Sequence, residues 1–323
     1  ILFGVCVAIV IACAGAGYYY WQQNHYSSIL LDVDQKHPTD RRTFRALTLP
    51  NELEVLLISD PDATQSAAAI NIGVGSMANP VEIPGLAHFL EHMLFLGTEK
   101  YPDEKDYNKY ITENGGERNG STSYENTDYY FSINNEQFEG TLDRLSQFLV
   151  APLMKADFVD REKNAINAEF QKNLQNDSRR INFVVNSLVR KGHPLANFTT
   201  GNMETLKDAT RDLVWDFFKK YYSANQMKLA LISTATLDQQ EKWVREKFGT
   251  IPNNNRGPII YDSDVYDSGA LPRMIQIKPL NTIKTLSLSF IVPDLYKDWK
   301  TSPNSFLKYL IGDAGEDSLD ALL

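Results

Sequence analysis

Cysteine and histidine are scarce in this sequence, and basic residues are not in excess. The two cysteines, Cys6 and Cys13, both lie near the start, so the rest of the chain has no disulfide and no cysteine-based metal site. The net charge is −9 with both signs mixed along the chain, which gives no basic stripe and argues against nucleic acid as a partner. With 323 residues and 43% hydrophobic content, the chain is expected to fold around an apolar core.

Charge is absent from residues 1–17, and this gap leaves three interpretations open. A membrane anchor is favoured by the aromatic cluster at residues 18–21, which resembles a bilayer-interface belt. A secretory signal would end at the small residues 14–16, and lipidation would occur at Cys13. All three predict an extracytoplasmic protein, either bound to a membrane through its N-terminal segment or secreted.

Hydrophobic periodicity predicts an α+β fold, with an antiparallel or mixed sheet and helices packed on one side. Helices are expected at 84–96, 156–178 and 179–191, and a further strand pair at 273–280 and 285–292 followed by a short helix. The order at the end repeats the order at the start, which predicts the beginning of a second, similar domain. The predicted segments are an anchor or signal (1–21), a linker or arm (22–42), a catalytic domain (43–260), and a linker with the start of the second domain (261–323).

The run GLAHFLEHMLFLG, residues 85–97, places His88 and His92 four residues apart on a predicted helix. Positions i and i+4 share one helix face with Cβ atoms roughly 6 Å apart, so both imidazoles can bind one zinc ion. Glu91 lies beside that face, where it can act as a general base on water. The order His-x-x-Glu-His is the inverzincin pattern. The alternative interpretation of the same residues is two histidines satisfied within a core.

A catalytic zinc site needs a third protein ligand. The residues alone offer His193 and the carboxylates of the predicted 156–178 helix. Glu162 and Glu169 lie seven residues apart, two turns along one face of that helix. The spacing leaves the choice open, because glutamates on a charged helix are usually solvated.

Four blocks of the sequence resemble the insulinase/pitrilysin family of zinc endopeptidases and follow the family's order. They are GLAHFLEHMLFLGTEKYP, NGGERNGSTSYENTDYYF, DREKNAINAEFQKN and GHPLANFTTGN. The resemblance implies that His88, His92 and Glu169 bind one Zn²⁺ and that Glu91 activates the water. It also implies that Glu162 orients a ligand histidine without touching the metal.

The block RNGSTS resembles the family's edge strand, which pairs with the backbone of the substrate. The resemblance implies that Asn119, Gly120, Ser121 and Thr122 bind extended peptide through main-chain hydrogen bonds. Gly120 stands where many members have alanine, and Ser121 where an aromatic residue lines a pocket, so backbone pairing is expected without that pocket. His193 falls outside the family's ligand set and is assigned a structural role.

In the family, a second half that repeats the fold closes over the active site and supplies an arginine and a tyrosine. The resemblance therefore implies a longer polypeptide, with its C-terminal half as a partner of this chain. The predicted function is that of a zinc metalloendopeptidase acting on peptides or small proteins bound in extended form. The alternatives are a non-catalytic peptide-binding or assembly subunit and an inactive fragment of the longer enzyme.

Overall fold

The structure is a computed structural model that describes residues 29–31, 36–282, 284–293, 295, 298–315, 318 and 321. The predicted anchor at residues 1–21 lies outside the described residues. Within the described ranges, no helix is both long enough and apolar enough to cross a bilayer. The chain forms two compact units, one ending at Leu280 and one covering Asn281–Leu323.

The first unit is organised by a mixed sheet of seven strands. The strands are β1 (Ile29–Leu31), β2 (Thr43–Thr48), β3 (Glu54–Ser59), β4 (Ser66–Ile72), β5 (Glu117–Thr122), β6 (Thr127–Ile133) and β7 (Met227–Ser233). They lie in the order β1-β2-β3-β7-β4-β6-β5. The pair β3 and β7 is parallel, and the other neighbours are antiparallel. This order leaves β5 at an edge of the sheet, paired with β6 alone.

The first unit also contains helices, and one more lies in the second unit. They are α1 (Leu86–Leu94), α2 (Asp106–Glu113), α3 (Phe138–Val150), α4 (Val159–Asn173), α5 (Asp177–Asn186), α6 (Arg211–Tyr221), α7 (Leu237–Phe248) and α8 (Pro303–Ile311). The predicted α+β class with a mixed sheet is confirmed.

The core lies on one face of the sheet, as the alternation of the central strands requires. Ile70, Tyr129 and Leu229 are buried and lie side by side in register across β4, β6 and β7. The helices cover this face with Phe89, Phe148, Phe217 and Phe248, among others. Each such side chain contributes about 1.5–3 kcal/mol when fully buried, so the core fixes α1 firmly against the sheet.

The break predicted between helices at 156–178 and 179–191 lies several residues earlier in the structure. The first ends at Asn173, and the second begins at Asp177 after the cap residue Asn176. The Asn176 side chain accepts a hydrogen bond from the backbone N–H of Arg179 at 3.1 Å, which caps the start of a new helix. Helical periodicity continues across this junction in the sequence, so the period alone does not locate the break.

The predicted strand pair at 273–280 and 285–292 is wrong, because neither run is a strand within the described residues. A strand needs a neighbour to satisfy its backbone hydrogen bonds and a core to bury its apolar side chains. Met274 is instead 86% exposed. The helix predicted after these runs is confirmed as α8.

Candidate metal centre

Helix α1 is held in place by its apolar face and by a side chain from outside the helix. It begins after Gly85, whose φ of +100° suits glycine, and Asn79 Oδ1 accepts a hydrogen bond from the N–H of Ala87 at 2.8 Å. Its buried face consists of Leu86, Phe89, Leu90, Met93 and Leu94. The face that remains carries His88 and His92, with ring centroids 4.7 Å apart.

The two histidines meet Glu169 of α4. His88 Nε2 lies 3.5 Å from Glu169 Oε2, and His92 Nε2 lies 3.8 Å from the same oxygen. The three ligand atoms all fall within 4.8 Å of one another. Two nitrogens and one carboxylate oxygen therefore converge on one point, although 81 residues separate His88 from Glu169 in the chain.

This donor set fits a zinc ion. Zinc takes histidine nitrogen and carboxylate oxygen at about 2.0–2.2 Å, and a tetrahedral arrangement then separates the ligand atoms by roughly 3.4 Å. The observed 3.5 and 3.8 Å separations are close to that value. Two histidines and a glutamate also form a known catalytic zinc set, which leaves one position for water or substrate.

The other ring nitrogens of the two histidines have different partners. His88 Nδ1 lies 2.7 Å from the carbonyl oxygen of Thr200, and His92 Nδ1 lies 3.4 Å from Glu162 Oε2. A carbonyl and a carboxylate only accept, so each Nδ1 can donate to its partner, which leaves the lone pair of each Nε2 for a metal ion. Partial burial raises the pKa of Glu162, but hydrogen bonds from His92 and Arg161 outweigh it and hold the pKa below its usual range.

The Thr200 carbonyl is brought to His88 by a close backbone contact. Gly85 and Gly201 both have positive φ, +100° and +84°, and a Cβ added at Gly85 would lie 2.4 Å from Gly201 Cα. Only two glycines allow the segment that contains Thr200 to lie this close to the start of α1. The orientation of His88 therefore depends on backbone packing.

Glu91 is buried beside this cluster and contacts β5. The Thr122 hydroxyl donates to Glu91 Oε2 at 2.6 Å. A Cβ at Gly120 would lie 2.8 Å from Glu91 Oε1, so glycine lets the Glu91 side chain lie this close to β5. Burial raises the pKa of Glu91, and the hydrogen bond from Thr122 opposes that shift.

The predicted substrate strand is β5, and its side chains alternate between two faces. Gly120 and Thr122 face Glu91, whereas Asn119 and Ser121 point to the opposite face and are exposed. The outer edge of β5 has no neighbouring strand in the described part of the chain. Its free backbone groups can therefore pair with an extended chain.

His193 lies away from the cluster. Its Nε2 contacts the carbonyl of Asp262 at 3.0 Å, and its Nδ1 accepts from the N–H of Leu195 at 3.1 Å. Sequence reasoning gave no role to the Thr200 carbonyl or to the Thr122 hydroxyl. Any residue can supply a carbonyl, so Thr200 left no signal in the sequence. Thr122 was selected only for its backbone.

Comparison with known families gives two adjoining matches. Residues 54–202 match the family described as Insulinase (Peptidase family M16), and residues 208–322 match the domain described as Peptidase M16 inactive domain. His88, Glu91, His92 and Glu169 all fall within the first match.

Individual relatives extend this similarity over most of the chain. The A-factor-processing enzyme of Saccharomyces cerevisiae is 41% identical over 311 residues, covering 94% of this chain and 30% of the relative. The insulin-degrading enzyme of Drosophila melanogaster is 41% identical over 292 residues, covering 88% of the chain and 30% of the relative. The crystal structure of pitrilysin superimposes with a TM-score of 0.80 at 30% identity, over 92% of this chain and 32% of that one. The chain thus spans about 30% of the length of these relatives.

Two further relatives bear on the metal and on the location. One, from Schizosaccharomyces pombe, is named putative zinc protease mug138 and is 38% identical over 291 residues, covering 88% of this chain and 30% of the relative. Another, from Arabidopsis thaliana, is named insulin-degrading enzyme-like 1, peroxisomal, and is 40% identical with the same coverage.

The predicted extracytoplasmic location is wrong. A relative named peroxisomal contradicts it, and neither the relatives nor the described residues support the predicted membrane contact. The prediction depended on the composition of residues 1–17 alone. An uncharged apolar run of that length does not identify a compartment, because composition does not distinguish the segments that share it.

Proposed function

This chain belongs to the insulinase family of peptidases, M16, and on that premise we propose that it carries the catalytic site of a zinc-dependent endopeptidase. One observation carries the proposal. His88, His92 and Glu169 converge on a single point, and Glu91, next to His92 in the chain, contacts Gly120 and Thr122 of the edge strand β5. A peptide on β5 would therefore lie next to both the ligand cluster and a buried carboxylate.

His88, His92 and Glu169 would hold the zinc ion, with Glu162 and the Thr200 carbonyl fixing the two imidazole rings. When bound, zinc supplies Lewis acidity, which polarises a peptide carbonyl and makes a water molecule more acidic. Buried apolar side chains behind α1 lower the local dielectric and strengthen these electrostatic effects.

Glu91 is the proposed general acid and base. Burial raises its pKa, which brings it closer to the range where a carboxylate accepts a proton efficiently near neutral pH. Thr122 donates to Oε2 and leaves Oε1 to accept from water. Glu91 accepts the proton as water attacks and then donates it to the amine that leaves.

The outer edge of β5 is the proposed substrate-binding strand. Asn119, Gly120, Ser121 and Thr122 would pair with an extended peptide through backbone N–H and C=O groups. Main-chain pairing selects for extended conformation and for little else, so we expect broad sequence specificity apart from pockets beside the strand.

Cleavage of an internally quenched peptide by the purified protein tests this function. We expect the wild type and the exposed-glutamate control Glu136→Gln to cleave it, and Glu91→Gln to lose at least about a hundredfold in kcat while keeping its zinc. Glu91→Gln that cleaves at the wild-type rate contradicts the role of Glu91. A wild type that binds zinc and peptide without cleaving favours the non-catalytic peptide-binding subunit.

A further inference from the structure

A cavity of about 460 Å³ adjoins the metal cluster. It lies between α4, α5 and the segment 196–200. Two of its lining residues also contact ligands of the cluster: the Thr200 carbonyl lies 2.7 Å from His88 Nδ1, and Asn173 Nδ2 donates to Glu169 Oε1 at 3.4 Å. The cavity therefore lies next to the proposed active site.

Aromatic side chains form much of the cavity wall. Phe170 and Phe198 pack edge to face with centroids 5.3 Å apart, and Phe183 of α5 is 66% exposed. The Asn186 side-chain amide donates to the Tyr124 hydroxyl at 2.9 Å, which links α5 to the turn after β5. A peptide that continues along β5 past Thr122 reaches Tyr124 after about two residues, roughly 7 Å.

The charge of the cavity differs from that of the whole chain. The net charge of the chain is −9, but the cavity lining contains Arg179 and Arg180 and no aspartate, glutamate, lysine or histidine. Arg180 is compensated, because it pairs with Asp177 at 2.8 Å and donates to the Lys278 carbonyl.

Arg179 is not compensated in this way. Its backbone N–H donates to the side chain of the cap residue Asn176. Among the described residues, its guanidinium has no ion pair and no hydrogen bond. One unpaired guanidinium thus lines the cavity that lies next to the ligand cluster.

We propose that this cavity binds a carboxylate of the peptide substrate through Arg179, a few residues from the bond to be cut. The inference rests on the proposed peptidase function. A guanidinium and a carboxylate form two parallel hydrogen bonds. The aromatic wall would pack against the carbon stem of an acidic side chain, and a basic side chain would be repelled. A free C-terminal carboxylate has the same chemistry and is the second source to distinguish.

The test compares matched peptides that carry Glu or Gln at one position, scanned over three residues on each side of the cut. A second set compares a free C-terminal carboxylate with an amide. Affinity is measured by fluorescence anisotropy on zinc-loaded Glu91→Gln protein, alone and combined with Arg179→Gln or with Lys172→Gln. Lys172 is an exposed residue of α4 outside the cavity lining, so its variant removes one positive charge as a control.

At one scanned position, we expect the peptide with Glu to bind about tenfold more tightly than the matched peptide with Gln. This is the effect of one charge-assisted hydrogen-bonded pair. Arg179→Gln should abolish this ratio, and Lys172→Gln should keep it. In the alternative outcome, the affinity ratio differs from one only between peptides with a free C-terminal carboxylate and peptides with an amide. If that ratio also depends on Arg179, the cavity binds the C-terminal carboxylate.

Equal affinity for the charged and uncharged peptides overturns the inference, as does a ratio that persists in Arg179→Gln. Failure of the proposed function has a different signature, because the wild type would then cleave none of the peptides. The anisotropy comparison still decides the role of Arg179 in that case, since it does not depend on turnover.

Discussion

Helices α1 and α4 both contribute to the metal cluster, yet they are held in the molecule in different ways. Helix α1 lies against the sheet with a fully buried apolar face. In α4 only Val159, Lys163 and Ile166 are buried, and most of its other side chains are charged or polar. The side chain of His88 is 13% exposed, whereas that of Glu169 is 39% exposed.

The contrast separates two ways of placing a functional side chain. On α1, core packing fixes the helix, and the backbone carbonyl of Thr200 orients His88. The position of the histidine therefore depends on the apolar residues that pack α1 against the sheet. On α4, position depends on polar contacts such as that between Asn173 and Glu169. Substitutions on the buried apolar face of α1 should therefore act through folding stability, and substitutions of the polar side chains of α4 through metal affinity.

The largest effect is expected from Phe89→Ala in α1. Phe89 is fully buried in the core, and its removal should lower the free energy of unfolding by about 3–5 kcal/mol. Phe183→Ala is the matched control, because that ring on α5 is mostly exposed and should change stability by less than about 1 kcal/mol. Denaturant unfolding measures both, and similar values for the two variants would show that α1 is not held by packing.

The next effect is on metal affinity, from Glu162→Gln in α4. This change weakens the orientation of His92 and should reduce zinc affinity about tenfold or more, with little change in stability. Thr200→Ala is the control on the other histidine. It should leave affinity unchanged, since the acceptor for His88 is a backbone carbonyl. Competition with a chelator of known affinity measures zinc binding by both variants. Equal losses of zinc affinity would contradict the view that a side-chain carboxylate orients His92 and a backbone carbonyl orients His88.

The smallest effect is expected from Thr122→Val on β5. It removes the hydrogen bond to Glu91 and should lower kcat about five- to tenfold, with KM and zinc content unchanged. Thr122→Ser keeps a hydroxyl and should restore most of kcat. If Thr122→Val raises KM instead, Thr122 acts on substrate binding and not on the position of Glu91.

The parts of the fold that follow from local pattern were predictable from the sequence. The helix with His88 and His92 was predicted because its apolar period and its neighbouring glycine are local features. The break between α4 and α5 was placed incorrectly, because it depends on one cap, Asn176. The strands expected at 273–280 and 285–292 have a strand-like period, but strand formation depends on partners that lie elsewhere in the fold.

The candidate site divides in the same way. The residues alone offered His88, Glu91 and His92, because their spacing is local. They left Glu169 and Glu162 unranked, since choosing a ligand across 81 residues requires the packing of α4 on α1. The Thr122 hydroxyl and the cavity at Arg179 depend on contacts between separate elements, and no period in the sequence encodes them.

The most direct test of the metal centre is the zinc content of the purified protein beside Glu169→Gln, with Glu136→Gln as control, by elemental analysis after exhaustive dialysis. The proposed site predicts about one zinc per chain in the wild type and control, and far less in Glu169→Gln, because a neutral amide is a poor zinc ligand. A folded wild type without zinc, or a Glu169→Gln variant that keeps a full equivalent, would contradict the site built from His88, His92 and Glu169.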